Sequence, residues 1–250
     1  MNTCAIDIHH HYVPNSLLEE AKKRGKHLGV ELAEKDGQKS LSFVGGPPFL
    51  LHPELPAVEE RLKMMADSKL AMAALEAHTA TLGYRLTGEQ GENWCNAYNE
   101  GIHELVRRYP DRFVGLASVP LQDPPRAAKV LERAVRDLNF RGGYIGTNVN
   151  GTYYGTTDFD PFWAKAQELG VMVVMHPEDV AGADKMNPYG LKLICGNPAW
   201  FSPVAKFTSS WQAPHATRLG FRYASCWAAP LSCSWQWVHL RASAGKTTRE

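Results

Sequence analysis

The chain has 250 residues, of which 44% are hydrophobic and 21% are charged, values that are typical of a soluble globular protein. A formal net charge of +1 gives no electrostatic argument for nucleic acid or an anionic membrane as a partner. No apolar segment approaches the roughly 18 residues of a membrane-spanning helix. No secretory signal is recognisable, and five scattered cysteines indicate a reduced protein, so we expect a cytoplasmic location.

The first recognisable element is a short apolar segment, AIDI at residues 5–8, which predicts a strand that leads into three consecutive histidines. Residues 15–55 follow and are expected to form an irregular insertion. Inside this insertion, apolar and polar residues alternate on both sides of Asp36 and Gly37. Because alternation around an Asp-Gly pair is typical of a β-hairpin, the insertion is predicted to contain a small β element.

A repeating pattern covers residues 56–176, in which apolar segments alternate with amphipathic segments of helical periodicity. Together with AIDI it predicts five strands separated by four helices, which favours a parallel sheet. Doubly wound sheets and (β/α)8 barrels both begin in this way. No G-x-G-x-x-G motif opens a helix, so a dinucleotide-binding sheet has no support. Polar residues follow the first, fourth and fifth strands, where a barrel carries its chemistry.

The histidines at the end of the first strand indicate a metal site. His9 and His11 alternate along an extended chain and therefore share one face, whereas His10 points away. Neutral imidazole is a good zinc ligand, and a catalytic zinc keeps one position open. His176 ends the fifth strand and is the natural third ligand. A polar turn or the remnant of an affinity tag would also explain three consecutive histidines.

The remaining polar candidates have weaker signals. Asp7 could orient a ligand imidazole through a hydrogen bond. Four other histidines are expected to be exposed or locally hydrogen-bonded, and His78 is the least certain of them because it follows the second strand: they are His27, His52, His78 and His103.

Several segments together resemble a known family. AIDIHHHYVP is similar to the D-x-H-x-H opening of the metal-dependent amidohydrolase superfamily. More narrowly, the chain resembles the branch of aminocarboxymuconate-semialdehyde decarboxylase and related aromatic acid decarboxylases. The agreement continues in order through RRYPDRFVGLASVPLQDP, LNFRGGYIGTNVNG, FWAKAQELGVMVVMHP and GLKLICGNP, and it covers residues 5 to about 198.

The resemblance implies a distorted (β/α)8 barrel of the TIM type, with a small β insertion after the first strand. It implies one divalent metal, zinc or another ion such as manganese, held by His9, His11 and His176. It further implies a carboxylate ligand after the eighth strand and an acid–base histidine within an H-G-G motif after the sixth. A small carboxylic acid is the implied substrate, and a homodimer is the usual assembly of such a family.

The last part of the chain departs from this pattern. Residues 201–250 contain one acidic residue, Glu250, and four of the seven tryptophans. No H-G-G motif occurs, and no aspartate follows Asp184. We therefore expect a barrel portion at residues 1–198, an atypical tail at residues 199–250 with no strand–helix rhythm, and an incomplete barrel whose five strands leave two exposed edges. The composition of the tail favours a frame-shifted segment over a divergent C-terminus that forms a partner surface.

The sequence thus supports two classes of function. The first is a metal-dependent carboxy-lyase that acts on an aromatic or muconate-type carboxylic acid, with hydrolysis of a small ester, lactone or amide as the related alternative. The second is a catalytically inactive remnant that binds metal at most, because the family's acid–base histidine and late carboxylate have no counterpart. No catalytic residue beyond the three proposed ligands is assigned.

Overall fold

The structure is a computed structural model, which describes residues 5–152, Tyr154 and residues 157–176, together with the backbone of two short strands at 222–225 and 236–239. In chain order its elements are β1 (Ala5–His11), α1 (Asn15–Leu28), β2 (Val30–Lys35), β3 (Gln38–Phe43), β4 (Phe49–Leu50), α2 (Val58–Asp67), β5 (Leu70–Glu76), α3 (Gly88–Arg108), β6 (Phe113–Ser118), α4 (Pro124–Arg136), β7 (Gly142–Gly146), α5 (Asp160–Glu168), β8 (Met172–His176), β9 (Arg222–Ser225) and β10 (Gln236–His239). Within this described part, no helix combines the length and the apolar character needed to cross a bilayer.

Five strands form the parallel sheet expected from the sequence, in the order β1-β5-β6-β7-β8. Every neighbouring pair among them is parallel. Helices α3, α4 and α5 connect successive strands and bury large apolar side chains in the common core, among them Trp94, Leu131 and Phe162. The strand–helix repeat is that of a partial (β/α)8 barrel, as predicted.

Two further strands lie in the tail, so the expectation that the edge of β8 is exposed is wrong. β9 pairs in parallel with β8, and β10 pairs antiparallel with β9. The edge of β8 would otherwise present unpaired N–H and C=O groups, which a segment of four residues can satisfy. Such a segment is too short to show a periodic pattern. The expected boundary between residues 198 and 199 lies outside the described residues and stays a prediction.

The β element of the insertion is confirmed. Strands β2 and β3 pair antiparallel with Lys35 opposite Gln38, and β4 adds a third strand. Between them, Asp36 and Gly37 have φ values of 52° and 77°. Positive φ at both central positions is the geometry of the two-residue hairpin turn in which Asp-Gly is favoured.

The first third of the insertion is a helix, and the prediction of irregular chain is wrong there. Helix α1 follows Pro14 directly and buries Leu17, Ala21 and Leu28 on one side. Their spacing is helical, but the pattern is interrupted at Arg24, where φ is −130° and the helix kinks. The kink lies in a segment rich in exposed lysine, which obscures the periodicity in the sequence.

Helix α3 is held on strand β6 by a buried amide. The side-chain Nδ2 of Asn99 donates to the carbonyl oxygen of Ser118 over 3.0 Å, and the backbone N–H of Ser118 donates to Oδ1 of Asn99 over 2.9 Å. Both residues are buried. Asn99 therefore satisfies both backbone groups of a residue at the carboxyl end of the strand.

Asn99→Ala is expected to lower the free energy of unfolding by about 2–4 kcal/mol, because it leaves two buried backbone groups of Ser118 without these partners. Urea unfolding of the purified chain measures the change. Asn96→Ala is the matched control: the same helix carries this half-buried amide, which among the described residues bonds only the half-exposed Arg133, so a loss below about 1 kcal/mol is expected. Equal losses in both variants would contradict this role of Asn99.

Helix α3 also holds the segments that follow β1 and β5. The hydroxyl of Tyr98, fully buried, donates to the carbonyl oxygen of Tyr12 over 2.8 Å. The same hydroxyl accepts hydrogen bonds from the backbone N–H of His78 over 3.3 Å and from the Thr81 hydroxyl over 3.2 Å. One phenol thus fixes two neighbouring strand ends to each other.

Tyr98→Phe is expected to lower the free energy of unfolding by about 1–3 kcal/mol, because it keeps the ring but removes a buried hydrogen-bond donor from the Tyr12 carbonyl. Thermal or urea unfolding measures it. Tyr109→Phe, at the C-terminal cap of the same helix where the ring is half-buried, should change stability by less than about 0.5 kcal/mol. If the two substitutions cost the same, the Tyr98 hydroxyl does not tie the strand ends.

Candidate metal centre

The parallel sheet is strongly curled, and the histidines show by how much. Strands β1 and β8 are separated by three intervening strands. In a flat sheet, four spacings of about 4.8 Å would place them roughly 19 Å apart. The ring centroids of His9 and His176, at the carboxyl ends of these two strands, are instead 4.9 Å apart. The sheet is therefore curled in the manner of a barrel wall.

The structure brings together the three histidines that the sequence predicts as metal ligands. One ligating nitrogen from each of His9, His11 and His176 lies within 4.8 Å of the others. The ring of His11 is 4.6 Å from that of His9 and 5.2 Å from that of His176, measured between centroids. Strand β1 has an irregular register with β5 between Asp7 and His10, close to His9 and His11. Such irregularities change the direction in which side chains point.

The end of strand β5 orients the two proposed ligand imidazoles of β1, those of His9 and His11. Nδ1 of His11 lies 3.0 Å from the carbonyl oxygen of Ala77. Because a carbonyl can only accept, the proton is on Nδ1 and Nε2 keeps its lone pair. Nδ1 of His9 contacts Oε1 of Glu76, the residue before Ala77. Glu76 therefore faces Nδ1 of His9, and the next residue, Ala77, faces Nδ1 of His11.

The electrostatic environment favours neutral imidazole. Burial, and then the proximity of His9 and His176, lowers the pKa of His11 to about 2. Burial, and then His9, lowers the pKa of His78 to about 4. Both rings are therefore uncharged at neutral pH, which is the form that binds a metal. A half-buried, convergent set of imidazole nitrogens fits a divalent cation.

Glu76 is the residue of this centre that the sequence analysis missed. It is the last residue of β5, opposite His11 in the strand register, and its exposed fraction is 0%. Burial raises the pKa of Glu76 to about 7. In the sequence it appears as a polar residue at a strand end. Its position after the second strand, where barrels carry functional groups, was the available signal.

Asp7 does not orient a proposed ligand imidazole. Its Oδ2 lies 2.8 Å from Nδ1 of His10, and its Oδ1 accepts the backbone N–H of His9 over 3.0 Å. His10 is buried and lies outside the cluster of ligating nitrogens. The carboxylate that faces a proposed ligand ring is that of Glu76.

Three of the four other histidines lie away from the centre. His27 and His52 are exposed, and Nδ1 of His103 bonds the carbonyl oxygen of Leu138. His78 is different. Its Nδ1 accepts the backbone N–H of Ala80 over 3.2 Å, and its ring lies 4.9 Å from His11 and 4.6 Å from Phe49 between centroids. It therefore lines the centre as well as being locally bonded.

A cavity of about 310 Å³ adjoins His78 through Phe49. Its walls are mainly apolar, with Phe43, Phe49 and Leu82 among them. Arg85 and Asn150 add polar groups to the lining. A mostly apolar cavity of this size with a few polar groups is typical of a small-molecule site.

The polar segment GTNVN at the end of β7 contains two asparagines that bond backbone groups of nearby loops. Oδ1 of Asn148 accepts the backbone N–H of Gly151 over 2.9 Å, and Nδ2 of Asn150 donates to the carbonyl oxygen of Tyr84 over 2.8 Å. Within β7 itself, the ring of Tyr144 lies about 6 Å from the rings of His11 and His176. Strand β7 thus contributes an aromatic side chain beside the histidines.

Curated relatives of the chain are decarboxylases. The 2-amino-3-carboxymuconate-6-semialdehyde decarboxylase of Dictyostelium discoideum is 26% identical over 195 residues, which cover 78% of this chain and 54% of that protein. The gamma-resorcylate decarboxylase of Rhizobium radiobacter is 29% identical over 194 residues, covering 73% and 56%. The chain therefore spans about half the length of the curated relatives it matches.

Solved structures confirm the fold. The 5-carboxyvanillate decarboxylase of Sphingomonas paucimobilis aligns with a TM-score of 0.67 at 17% identity, over 89% of this chain and 67% of that one. A dihydroxybenzoic acid decarboxylase of Polaromonas sp. JS666, solved with bound manganese and an inhibitor, aligns with a TM-score of 0.66 at 20% identity, over 90% and 65%. Both likenesses support the curled strand–helix fold described above.

A family model decides the assignment. The model described as Amidohydrolase matches residues 6–238, which extends past residue 198 and includes β9 and all but the last residue of β10. The same match contains the histidine segment of β1 and the end of β8. The chain therefore belongs to the amidohydrolase family.

Proposed function

We propose that the protein is a metal-dependent carboxy-lyase that releases carbon dioxide from a small aromatic carboxylic acid. The observation that carries the proposal is the convergence of three histidine nitrogens within 4.8 Å at the carboxyl end of the sheet. Chains related to this one in sequence are decarboxylases of resorcylate and of aminocarboxymuconate semialdehyde. The site and the relatives thus point to the same class of reaction.

His9, His11 and His176 would hold one divalent ion. Three imidazole nitrogens favour zinc over manganese in intrinsic affinity, although a related decarboxylase was solved with manganese. Such an ion acts as a Lewis acid on a bound oxygen atom. The chain contributes a neutral imidazole at His11, whose pKa burial lowers and whose ring the Ala77 carbonyl orients, so that this ligand needs no deprotonation at neutral pH.

The cavity beside His78 would receive the aromatic ring of the substrate. Phe43 and Phe49 offer ring faces for packing, and Arg85 offers a positive charge for an acidic substrate. Apolar walls would favour the step in which the carboxylate loses its charge and leaves as carbon dioxide. In that step the carbon–carbon bond breaks, and its electron pair stays on the ring carbon, which takes up a proton.

A second candidate function is metal binding without turnover. It is favoured by the sequence, which contains no H-G-G motif and no aspartate after Asp184. A third outcome, hydrolysis of a small ester, lactone or amide, would use the same centre to activate water. The following two experiments separate these candidates.

Alanine substitution of His9, His11 or His176 is expected to weaken zinc binding more than about tenfold, because each removes one of three ligands. Competition with a chromophoric chelator measures the dissociation constant, and thermal unfolding provides a second readout. Zinc at about 100 times its dissociation constant should add about 2.7 kcal/mol to stability. His27→Ala, at an exposed histidine, is the control and should bind as the wild-type chain does. Equal affinity in all four variants would contradict the three-histidine centre.

Zinc- or manganese-loaded protein is expected to release labelled carbon dioxide from carboxyl-labelled 2,6-dihydroxybenzoate or 5-carboxyvanillate. NMR detects the labelled carbon dioxide and the decarboxylated phenol. His176→Ala should abolish release, and His27→Ala should not. Metal bound with no release from any aromatic acid would favour metal binding without turnover. Histidine-dependent cleavage of a phenyl ester instead would favour the hydrolase.

A further inference from the structure

Glu76 is a buried carboxylate in a region of few charges. It ends β5, the strand next to β1, and it is fully buried. An ionised carboxylate that leaves water is stable only when a hydrogen-bond donor or a positive charge faces it. A partner group for the Glu76 carboxylate is therefore required inside the fold.

The ring of His9 is that group. Oε1 of Glu76 contacts Nδ1 of His9 and lies 3.9 Å from Nδ1 of His11. Among the described residues, neither oxygen of Glu76 has another hydrogen-bond donor. The carboxylate therefore faces the side of the His9 ring that carries Nδ1, and Nε2 is the nitrogen that remains for a ligand.

The contact with Glu76 repeats what Ala77 does for His11. The carbonyl oxygen of Ala77 fixes the proton of His11 on Nδ1. The Glu76 carboxylate stands at the equivalent nitrogen of His9. The ligating atoms that lie within 4.8 Å of one another are those of the three histidines, and the Glu76 carboxylate is outside that group. Its geometry is that of a partner to a ligand, and not of a ligand.

We propose that Glu76 is the positioning residue of the metal centre: it accepts a hydrogen bond from Nδ1–H of His9, fixes that tautomer, directs Nε2 towards the other two histidines, and supplies a negative charge next to the bound cation. Three neutral imidazoles leave both charges of a divalent ion uncompensated, and Glu76 offsets one of them at short range. This inference rests on the three-histidine centre of the proposed function.

Two substitutions separate the hydrogen bond from the charge. Glu76→Gln keeps an oxygen that can accept from Nδ1–H but removes the charge. Glu76→Leu removes both and leaves an apolar side chain in a buried position. Asp7→Asn is the matched control, because Asp7 is also a carboxylate beside a histidine, His10, which lies outside the ligand group.

Two measurements are made on each full-length variant. Long-range ¹H–¹⁵N NMR of the metal-free chain reports which nitrogen of His9 carries the proton. Chelator competition reports the zinc dissociation constant. We expect Nδ1–H in the wild-type chain, Asp7→Asn and Glu76→Gln, and a mixture of tautomers in Glu76→Leu. Zinc binding should weaken about tenfold in Glu76→Gln and about 100-fold in Glu76→Leu, and less than about threefold in Asp7→Asn.

The inference is overturned if Glu76→Leu binds zinc as tightly as the wild-type chain, or if its His9 tautomer is unchanged. It is also overturned if Asp7→Asn loses as much affinity as Glu76→Leu, since any nearby charge would then suffice. A wild-type chain that binds no zinc would overturn the proposed function, and the tautomer measurement would still decide the role of Glu76. The two failures are therefore distinguishable.

Discussion

Parallel pairing from β1 to β8 places the carboxyl ends of five strands on one side of the sheet. The curl of the sheet then brings the histidines at the end of the first strand close to the histidine at the end of the fifth. His9 and His11 are more than 160 residues from His176 in the chain. Their convergence depends on that curl and on no local interaction between them. The insertion, the helices on the sheet and the loops after the strands can all vary around this constraint.

Pairing between β1 and β5 has a second consequence, because it sets both ring orientations at once. His11 is opposite Glu76 in the register, so the segment Glu76–Ala77 contacts the two proposed ligands of β1, His9 and His11. Tyr98 then ties the residues beyond these two strand ends to helix α3. The proposed ligands are thus supported from the neighbouring strand and from a helix, as a rigid site requires.

Local chemistry explains which parts of this arrangement could be predicted from the sequence. The hairpin at Asp36 and Gly37 depends on two positive φ angles, which an Asp-Gly pair predicts. The strand–helix repeat and the shared face of His9 and His11 follow from periodicity alone. Glu76 could not be identified in this way, because its burial and its contact with His9 arise only when β5 lies beside β1. Strands β9 and β10 are too short for a periodic signal, and the kink at Arg24 obscured α1.

The short distance between His9 and His176 also bears on how the chain resists unfolding. An ion held by both would act as a cross-link between the two ends of a sheet whose intermediate strands are joined only through their neighbours. It would close a loop of more than 160 residues, and a cross-link over such a span restricts the unfolded chain by about 5 kcal/mol in the chain-entropy model. The metal ion proposed for the reaction would then also stabilise the curled sheet against unfolding.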